Sequence, residues 1–281
     1  MIDFDEAQAI LAQQAEPLRT ETVPLSQASG RRLAEPVVAR LDQPRNDQSA
    51  MDGYAARTGD ADTIDGALML VGEARPGAPF GGTLATGQAV RIFTGAPMPV
   101  GADRVLVQEI MERDGDHVRL SGEYGPSRHI RRAGSDFIAG AALLEAGQML
   151  HPRALLVAAG SDNDRLSVFR RPRVALLATG DELAEPGKAA DRPYAIAESL
   201  STALAAWIET EGGEIVMHRR LPDDLSLLEA AAGEALDCAD LVVTTGGASV
   251  GDHDHAKATK GQEKQRRRHI EHLRGNRDAL I

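Results

Sequence analysis

Apolar positions change their spacing several times along the chain, and each change marks a different kind of element. Phe4, Ala7, Ile10 and Leu11 recur at helical spacing and predict an amphipathic helix over residues 3–15. Thr22-Val-Pro-Leu25 reads as extended, with Ser26 placed to cap a short helix after it. From about Leu41 the pattern breaks into short apolar segments separated by Gly and Pro: Ala67–Val71, Ala89–Phe93, Val105–Gln108 and His117–Leu120. Runs of this kind predict a small β domain of about one hundred residues. Helical texture returns near Gly140, where His151-Pro152 opens a helix running to Ala159.

Beyond residue 172 the apolar runs are unbroken, as in strands buried on both faces of a parallel sheet. Arg173-Val-Ala-Leu-Leu-Ala178 leads into Thr179-Gly-Asp-Glu182. A helix from Glu198 to Glu211, ended by Gly212-Gly213, precedes a strand over Glu214–His218. The loop Arg219–Asp224 then carries acids placed to cap a helix over Leu225–Leu236. A last strand begins at Leu241 and gives way to Thr245-Gly-Gly-Ala-Ser-Val-Gly-Asp-His-Asp254, a Gly- and Ser-rich turn suited to offering backbone N–H groups to an anion.

The order is β-α-β-α-β, and in open sheets of this type ligands bind beyond the carboxyl ends of the strands. Asp181, Glu182, Asp223, Asp224, Asp252 and Asp254 are therefore expected to face one crevice. Carboxylates gathered this way repel one another unless a cation sits among them. Their oxygens suit Mg²⁺, which takes one or two carboxylates directly and completes its shell with water and substrate phosphate.

The expected fold class is thus multidomain, α/β and β. Residues 173–255 form an incomplete β-α-β-α-β domain, and residues 41–139 form a small β domain. The β domain is inserted into an elongated helical region made of 1–40 and 140–172, for linkage and dimerisation. Residues 256–281 form a basic tail, with 8 Lys or Arg against 3 acids, whereas residues 1–255 carry 23 against 39.

Composition narrows the function classes. A net charge of -11 and an aromatic fraction of 3% argue against nucleic acid, which needs basic excess and stacking platforms. A single cysteine, Cys238, excludes an intramolecular disulfide and any multi-cysteine zinc site, and its apolar setting reads as a small packed side chain. The amino terminus lacks a signal segment and no run reaches transmembrane length, so a cytoplasmic protein with no membrane partner is expected.

Several motifs each admit a purely structural reading. In Gln48-Ser-Ala-Met-Asp-Gly-Tyr-Ala55 the Asp52-Gly53 pair could be a turn dipeptide. Thr94, in Phe93-Thr-Gly-Ala-Pro-Met-Pro99, could serve as a turn hydroxyl. Arg131-Arg-Ala-Gly-Ser-Asp136 could be a surface ion-pair cluster. His253 and His255 alternate with Asp252 and Asp254, which points the two kinds of side chain apart and disfavours a transition-metal site.

Taken together, these segments resemble one family. Ser49–Ala55, Phe93–Pro99 with Gly101-Ala-Asp103, Arg131–Asp136, Thr179-Gly-Asp-Glu-Leu183 and Gly246-Gly-Ala-Ser-Val-Gly-Asp252 occur in the order and spacing of molybdopterin molybdenumtransferases, the MoeA type related to the E domain of gephyrin. The resemblance covers residues 1 to about 255. It implies insertion of molybdate into adenylated molybdopterin with release of AMP, with Mg²⁺ assisting. It also implies that residues 173–255 are a partial molybdopterin-binding domain. Asp181 and Glu182 would then lie at the pterin and metal site beside Thr179 and Gly180, with Gly246, Gly247 and Ser249 shaping the phosphate-facing loop. Asp223 or Asp224, Asp252 and Asp254 would complete the acidic set.

Asp52, Thr94 and Asp136 match family positions in the other lobe, which reaches the cleft of a second subunit, so a homodimer is implied. Other molybdenum cofactor synthesis proteins are the expected further partners. Two departures stand out. Ile196-Ala-Glu-Ser-Leu200 lacks the usual Asn. The family's Pro-Gly-Lys-Pro and Leu-Pro-Gly-Asn-Pro elements and its final β domain are absent after residue 255, as a truncated or frame-shifted product would show. A non-catalytic, molybdopterin-binding or dimerising remnant is the alternative. A molybdopterin adenylyltransferase is a further one, disfavoured by Met51-Asp-Gly-Tyr54 and the inserted β domain.

Overall fold

The computed structural model describes residues 3–60 and 67–246. Helix α1 spans Phe4–Gln14, and the Asp3 carboxylate caps it by accepting the N–H of Glu6 at 2.8 Å. Strand β1 (Thr20–Pro24) runs directly into a single 3₁₀ turn, Leu25–Gln27. Ser26 does not cap that turn: the cap position falls on Pro24, with φ -67°, and Ser26 lies inside the turn.

Contacts divide the chain into two compact units, one of residues 1–34, 147–151 and 167–281, the other of residues 35–146 and 152–166. The second unit contains β2 (Val37–Val38), β3 (Gln48–Ser49), β4 (Gly53–Ala56), β5 (Ala67–Ala74), β6 (Gln88–Ile92) and β7 (Arg104–Val107). It continues with β8 (Met111–Asp114), β9 (His117–Leu120), β10 (Ile130–Arg131), β11 (Ala142–Leu144) and helix α2 (Pro152–Gly160). Six of these strands form one sheet in the order β7-β4-β6-β5-β9-β8. Side chains alternate across that sheet, and both faces are covered. Tyr54, Ala56, Leu68, Ala89, Leu106 and Val118 pack as one apolar cluster, while Ala55, Ala74, Val90, Ile92 and Val105 belong to another. Every residue of β4 is therefore buried, although it is only a short apolar run.

Helix α2 begins at Pro152, where the sequence predicts it. It groups with the β strands, whereas the sequence pattern joins 140–172 to the amino-terminal piece. The reason lies in the backbone after the helix: the Arg40 N–H donates to the Ser161 carbonyl at 3.0 Å, and the Asn163 amide donates to the Val38 carbonyl at 3.1 Å.

The remaining elements are β12 (Arg165–Phe169), which pairs with β1, then β13 (Arg173–Thr179), β14 (Leu183–Ala184), β15 (Ile196–Ala197) and helix α3 (Leu200–Thr210). They are followed by β16 (Glu214–Leu221), helix α4 (Leu225–Cys238) and β17 (Leu241–Thr245). Strands β16, β13 and β17 form a parallel sheet with β13 in the centre, so the predicted β-α-β-α-β order holds. From Val174 to Thr179 β13 is wholly buried, and Ala175 and Leu177 pack under Leu228, Ala231 and Ala235 of α4.

Strand β16 runs past the predicted end at His218. Arg219 and Arg220 keep their ladder partners Leu177 and Ala178, which leaves only Pro222–Asp224 as the loop before α4. Pairing to a seven-residue central strand, not side-chain polarity, sets that boundary. Asp240 ties the sheet together at its amino-terminal edge. Its carboxylate accepts Arg170 Nη1 and Nη2 at 2.8 and 2.9 Å and the Arg173 N–H at 2.7 Å.

Among the described residues no helix is long and apolar enough to cross a membrane.

Candidate functional site

The parallel sheet brings three chain reversals to one edge, and the residues that follow the strands make the candidate site. Strand β13 ends in Thr179-Gly180-Asp181-Glu182, β16 ends before Asp223 and Asp224, and β17 ends in Thr245-Gly246. The reversals are joined directly. The Gly180 N–H donates to the Leu221 carbonyl at 3.2 Å, and Asp181 Oδ1 accepts the Asp223 N–H at 3.2 Å. The Thr179 hydroxyl donates to the Thr245 carbonyl at 3.3 Å.

Two glycines are demanded here by geometry. Gly246 has φ +87°, and a β-carbon on it would lie 2.3 Å from the Thr179 carbonyl oxygen and 2.8 Å from its hydroxyl. Gly180 has φ +151°, and a β-carbon there would lie 2.6 Å from Glu182 Oε2, so the Glu182 carboxylate folds back over the turn. Arg192 holds the same turn from outside, donating to the carbonyls of Asp181 at 3.1 Å and Leu183 at 3.4 Å. A guanidinium beside the acids is a feature that sequence spacing does not reveal. It sits about ten residues along, in a loop with no periodicity to place it.

Thr179, Gly180, Asp181, Glu182, Asp223 and Gly246 therefore come together as expected from the strand order. Gly247, Ser249, Asp252 and Asp254 lie outside the described residues. Asp224 serves the fold, because its Oδ1 caps α4. That oxygen accepts the N–H groups of Ser226 at 2.8 Å and Leu227 at 3.1 Å and the Ser226 hydroxyl at 2.5 Å. Among the described residues no three His, Cys, Asp or Glu side chains converge to hold a metal ion. Asp181, Glu182 and Asp223 thus do not by themselves make a cage for Mg²⁺.

Beside the sheet edge lies a buried polar group at the start of α3. Glu198 accepts the Ser201 N–H at 2.8 Å and the Ser201 hydroxyl, and that hydroxyl also meets His218 Nε2 at 2.6 Å. Burial alone would raise the Glu198 carboxyl, but the Ser201 bonds and the nearby His218 more than offset it, and its pKa is lowered. Glu198 belongs to the segment Ile196–Leu200 that lacks the usual Asn, and its carboxylate is bonded to Ser201 in the next turn.

The other predicted residues lie in the β unit. Asp52 Oδ1 accepts both the Thr94 N–H and the Thr94 hydroxyl at 2.8 Å, and these bonds hold its carboxyl below the usual carboxylate range. Arg91 stacks over Tyr54 and Phe93, with its guanidinium carbon 5.1 and 4.7 Å from the ring centroids, and donates to the Gly53 carbonyl at 3.0 Å. Gly53 is not the second residue of a turn: it is the first residue of β4, and a β-carbon on it would lie 2.1 Å from the Leu106 carbonyl oxygen. Asp136 is paired with Arg131 at 2.7 Å, and Arg132 with Asp47, so that motif is a surface ion-pair cluster in its local chemistry.

Comparison with known proteins agrees with this arrangement. Residues 2–161 match the family model for the MoeA N-terminal region, domains I and II. Residues 175–276 match the model described as a probable molybdopterin binding domain. A molybdopterin molybdenumtransferase of Nostoc sp. is 38% identical over 240 residues, covering 84% of this chain and 55% of that protein. Molybdopterin molybdenumtransferase 2 of Mycobacterium tuberculosis is 38% identical over 270 residues, covering 95% of this chain and 66% of that protein. The crystal structure of a molybdopterin biosynthesis MoeA protein from Pyrococcus horikoshii superposes with a TM-score of 0.77 at 30% identity, covering 88% of this chain and 66% of that one. The chain thus spans between 55% and 66% of the length of these relatives.

Proposed function

The chain belongs to the MoeA family of molybdopterin molybdenumtransferases, and from that premise we propose that it acts in molybdenum cofactor biosynthesis, inserting molybdate at the dithiolene of adenylated molybdopterin and releasing AMP. The observation that carries the reading is the Gly246–Thr179 contact. It holds the ends of β13 and β17 so close that the Thr179 carbonyl and hydroxyl leave no room for a side chain at position 246, which suits a backbone turn offered to a ligand bearing phosphate groups.

In this reading the backbone of Gly180 and Gly246, continued by Gly247 and Ser249, receives the phosphate-bearing part of the ligand. Thr179, Asp181 and Glu182 face the pterin. Asp223 and the two acids Asp252 and Asp254 complete the edge. Mg²⁺, when bound beside Asp181, Glu182 and Asp223, would supply positive charge opposite the pyrophosphate. The chain works as a homodimer in the cytoplasm, and Asp52, Thr94 and Asp136 act on the cleft of the neighbouring subunit. The match to the MoeA N-terminal region supports a molybdenumtransferase over an adenylyltransferase.

The test is molybdate-dependent AMP release from adenylated molybdopterin, with Mg²⁺, by the full chain and by its Glu182→Ala variant. Release by the parent and not by the variant is expected. Binding of molybdopterin without release by the parent would leave the chain a non-catalytic, molybdopterin-binding member of the family.

A further inference from the structure

A second concave site lies at the opposite end of the parallel sheet from the loops described above. A cleft of about 360 Å³ is lined by Arg31, Arg32, Arg170 and Arg171 together with apolar Pro17, Leu18, Phe169 and Pro172. Glu211 is the single acid in that lining. Four arginines around one cleft are unexpected in a chain whose net charge is -11. Their repulsion must be offset by acids or by a ligand.

The guanidiniums divide into two that are engaged and two that are available. Arg31 is buried, and its Nη2 donates to Glu21 and to the Phe169 carbonyl at 2.8 Å. Arg170 is held by both carboxylate oxygens of Asp240. Arg32 and Arg171 are held far more loosely. The contacts of Arg32 are at 3.4 Å to the Gly147 carbonyl and 3.5 Å to Glu211 Oε2, a pair exposed on both sides. Arg171 donates to the Ser29 carbonyl at 3.3 Å, and it makes no ion pair among the described residues. Bonds this long are weak by comparison with the roughly 2.7–2.9 Å of a charge-assisted pair.

The floor between them is fixed. Gly212, with φ +90°, approaches Gly30 so closely that a β-carbon would lie 2.5 Å from the Gly30 carbonyl oxygen. The backbone that carries Arg31 and Arg32 is therefore locked to the end of α3, which carries Glu211.

We propose that this cleft binds a small organic phosphate: a single oxyanion head gripped by Arg32 and Arg171, and a flat apolar body lying among Pro17, Leu18, Phe169 and Pro172. Two forked guanidiniums match the geometry of a phosphate, and the apolar lining favours a ligand with a body over the free anion. Glu211 opposes the head, so the site is weakened by its own acid.

The test is calorimetric titration of the full chain at low salt with phenyl phosphate, inorganic phosphate and phenol. Phenyl phosphate is expected to bind one to one and more tightly than inorganic phosphate, and phenol not at all. Arg171→Ala should weaken phenyl phosphate binding roughly tenfold, and Arg171→Lys less, because the fork is lost but the charge is kept. Glu211→Gln should tighten it, an opposite sign that a folding defect cannot produce. Arg113→Ala, at an exposed arginine of the β unit, should change nothing. No binding of phenyl phosphate, equal binding of inorganic phosphate, or equal weakening by Arg113→Ala would each overturn the proposal. Dependence on Arg171 also separates this cleft from the proposed molybdopterin site at the other end of the sheet.

Discussion

Gly246 sits against Thr179 so closely that a β-carbon at position 246 would fall 2.3 Å from the Thr179 carbonyl oxygen. This contact joins the exits of two neighbouring parallel strands, and it fixes how closely the two exits approach. Gly246→Ala must move one exit or the other, and it also places a side chain at φ +87°. The left-handed backbone alone costs about 1 kcal/mol, and the steric displacement adds to it. The variant is expected to lose at least about 2 kcal/mol in urea unfolding and most of its affinity for molybdopterin. An unchanged affinity would show that the gap is not where the ligand binds.

Gly53 poses the same problem inside the β unit, and with less room to relax. Its neighbour is backbone: the Leu106 carbonyl oxygen lies 2.1 Å from where a β-carbon would sit, within a six-stranded sheet. Gly53→Ala should separate β4 from β7 and cost about 3 kcal/mol or more. Asp52→Ala one residue earlier removes only the bonds to Thr94, clashes with nothing, and should cost much less than Gly53→Ala. Chemical denaturation of the two variants side by side checks the ranking. Equal losses would mean that the motif is held by Asp52 and not by the strand contact.

These two glycines show how far the sequence could be read. The parallel strands were legible because burial on both faces makes β13 an unbroken apolar run, and the cap of α4 was legible because Asp224 stands immediately before an apolar period. Family motifs singled out Asp52, Thr94, Thr179 and Gly246. What sequence spacing could not give were contacts made across the chain. Gly53 reads as half of a turn dipeptide until Leu106 is seen beside it. Arg192, Glu198 and His218 come to the sheet edge from three separate segments. The extension of β16 through Arg219 and Arg220 was hidden because ladder pairing, not polarity, prolongs an edge strand.

Asp240 should make the folded protein sensitive to acid. Hydrogen bonds from Arg170, and then from the Arg173 backbone, outweigh its burial and hold its pKa well below the usual carboxylate range. A carboxyl depressed in the folded state stabilises the protein above its unfolded pKa of about 4 and loses that contribution as pH falls through the folded value. Unfolding free energy measured from about pH 7 down to about pH 2 should therefore fall below about pH 4. Asp240→Asn should lower it by about 2 kcal/mol near neutral pH and flatten the acid dependence. A variant with the parent's full acid limb would place the titrating groups elsewhere.

The cluster at the start of α3 makes a prediction about a single proton. Ser201 is fully buried, and its hydroxyl meets the Glu198 carboxylate on one side and His218 Nε2 on the other. A hydroxyl carries one proton, and an ionised carboxylate can only accept. The lowered Glu198 pKa keeps that carboxyl ionised at neutral pH, so the Ser201 proton goes to Glu198 and the Ser201 oxygen must accept from His218. His218 Nε2 therefore carries hydrogen even when the ring is neutral. Nitrogen-15 NMR of the ring at about pH 8 to 9 should show the Nε2–H tautomer, and Ser201→Ala should release that preference while costing about 1–2 kcal/mol, because Glu198 stays buried with one donor fewer. Observation of the Nδ1–H form in the parent would reverse the direction of the whole chain of bonds, leaving Ser201 to donate to the ring and Glu198 to be satisfied by the backbone N–H groups of Leu200 and Ser201.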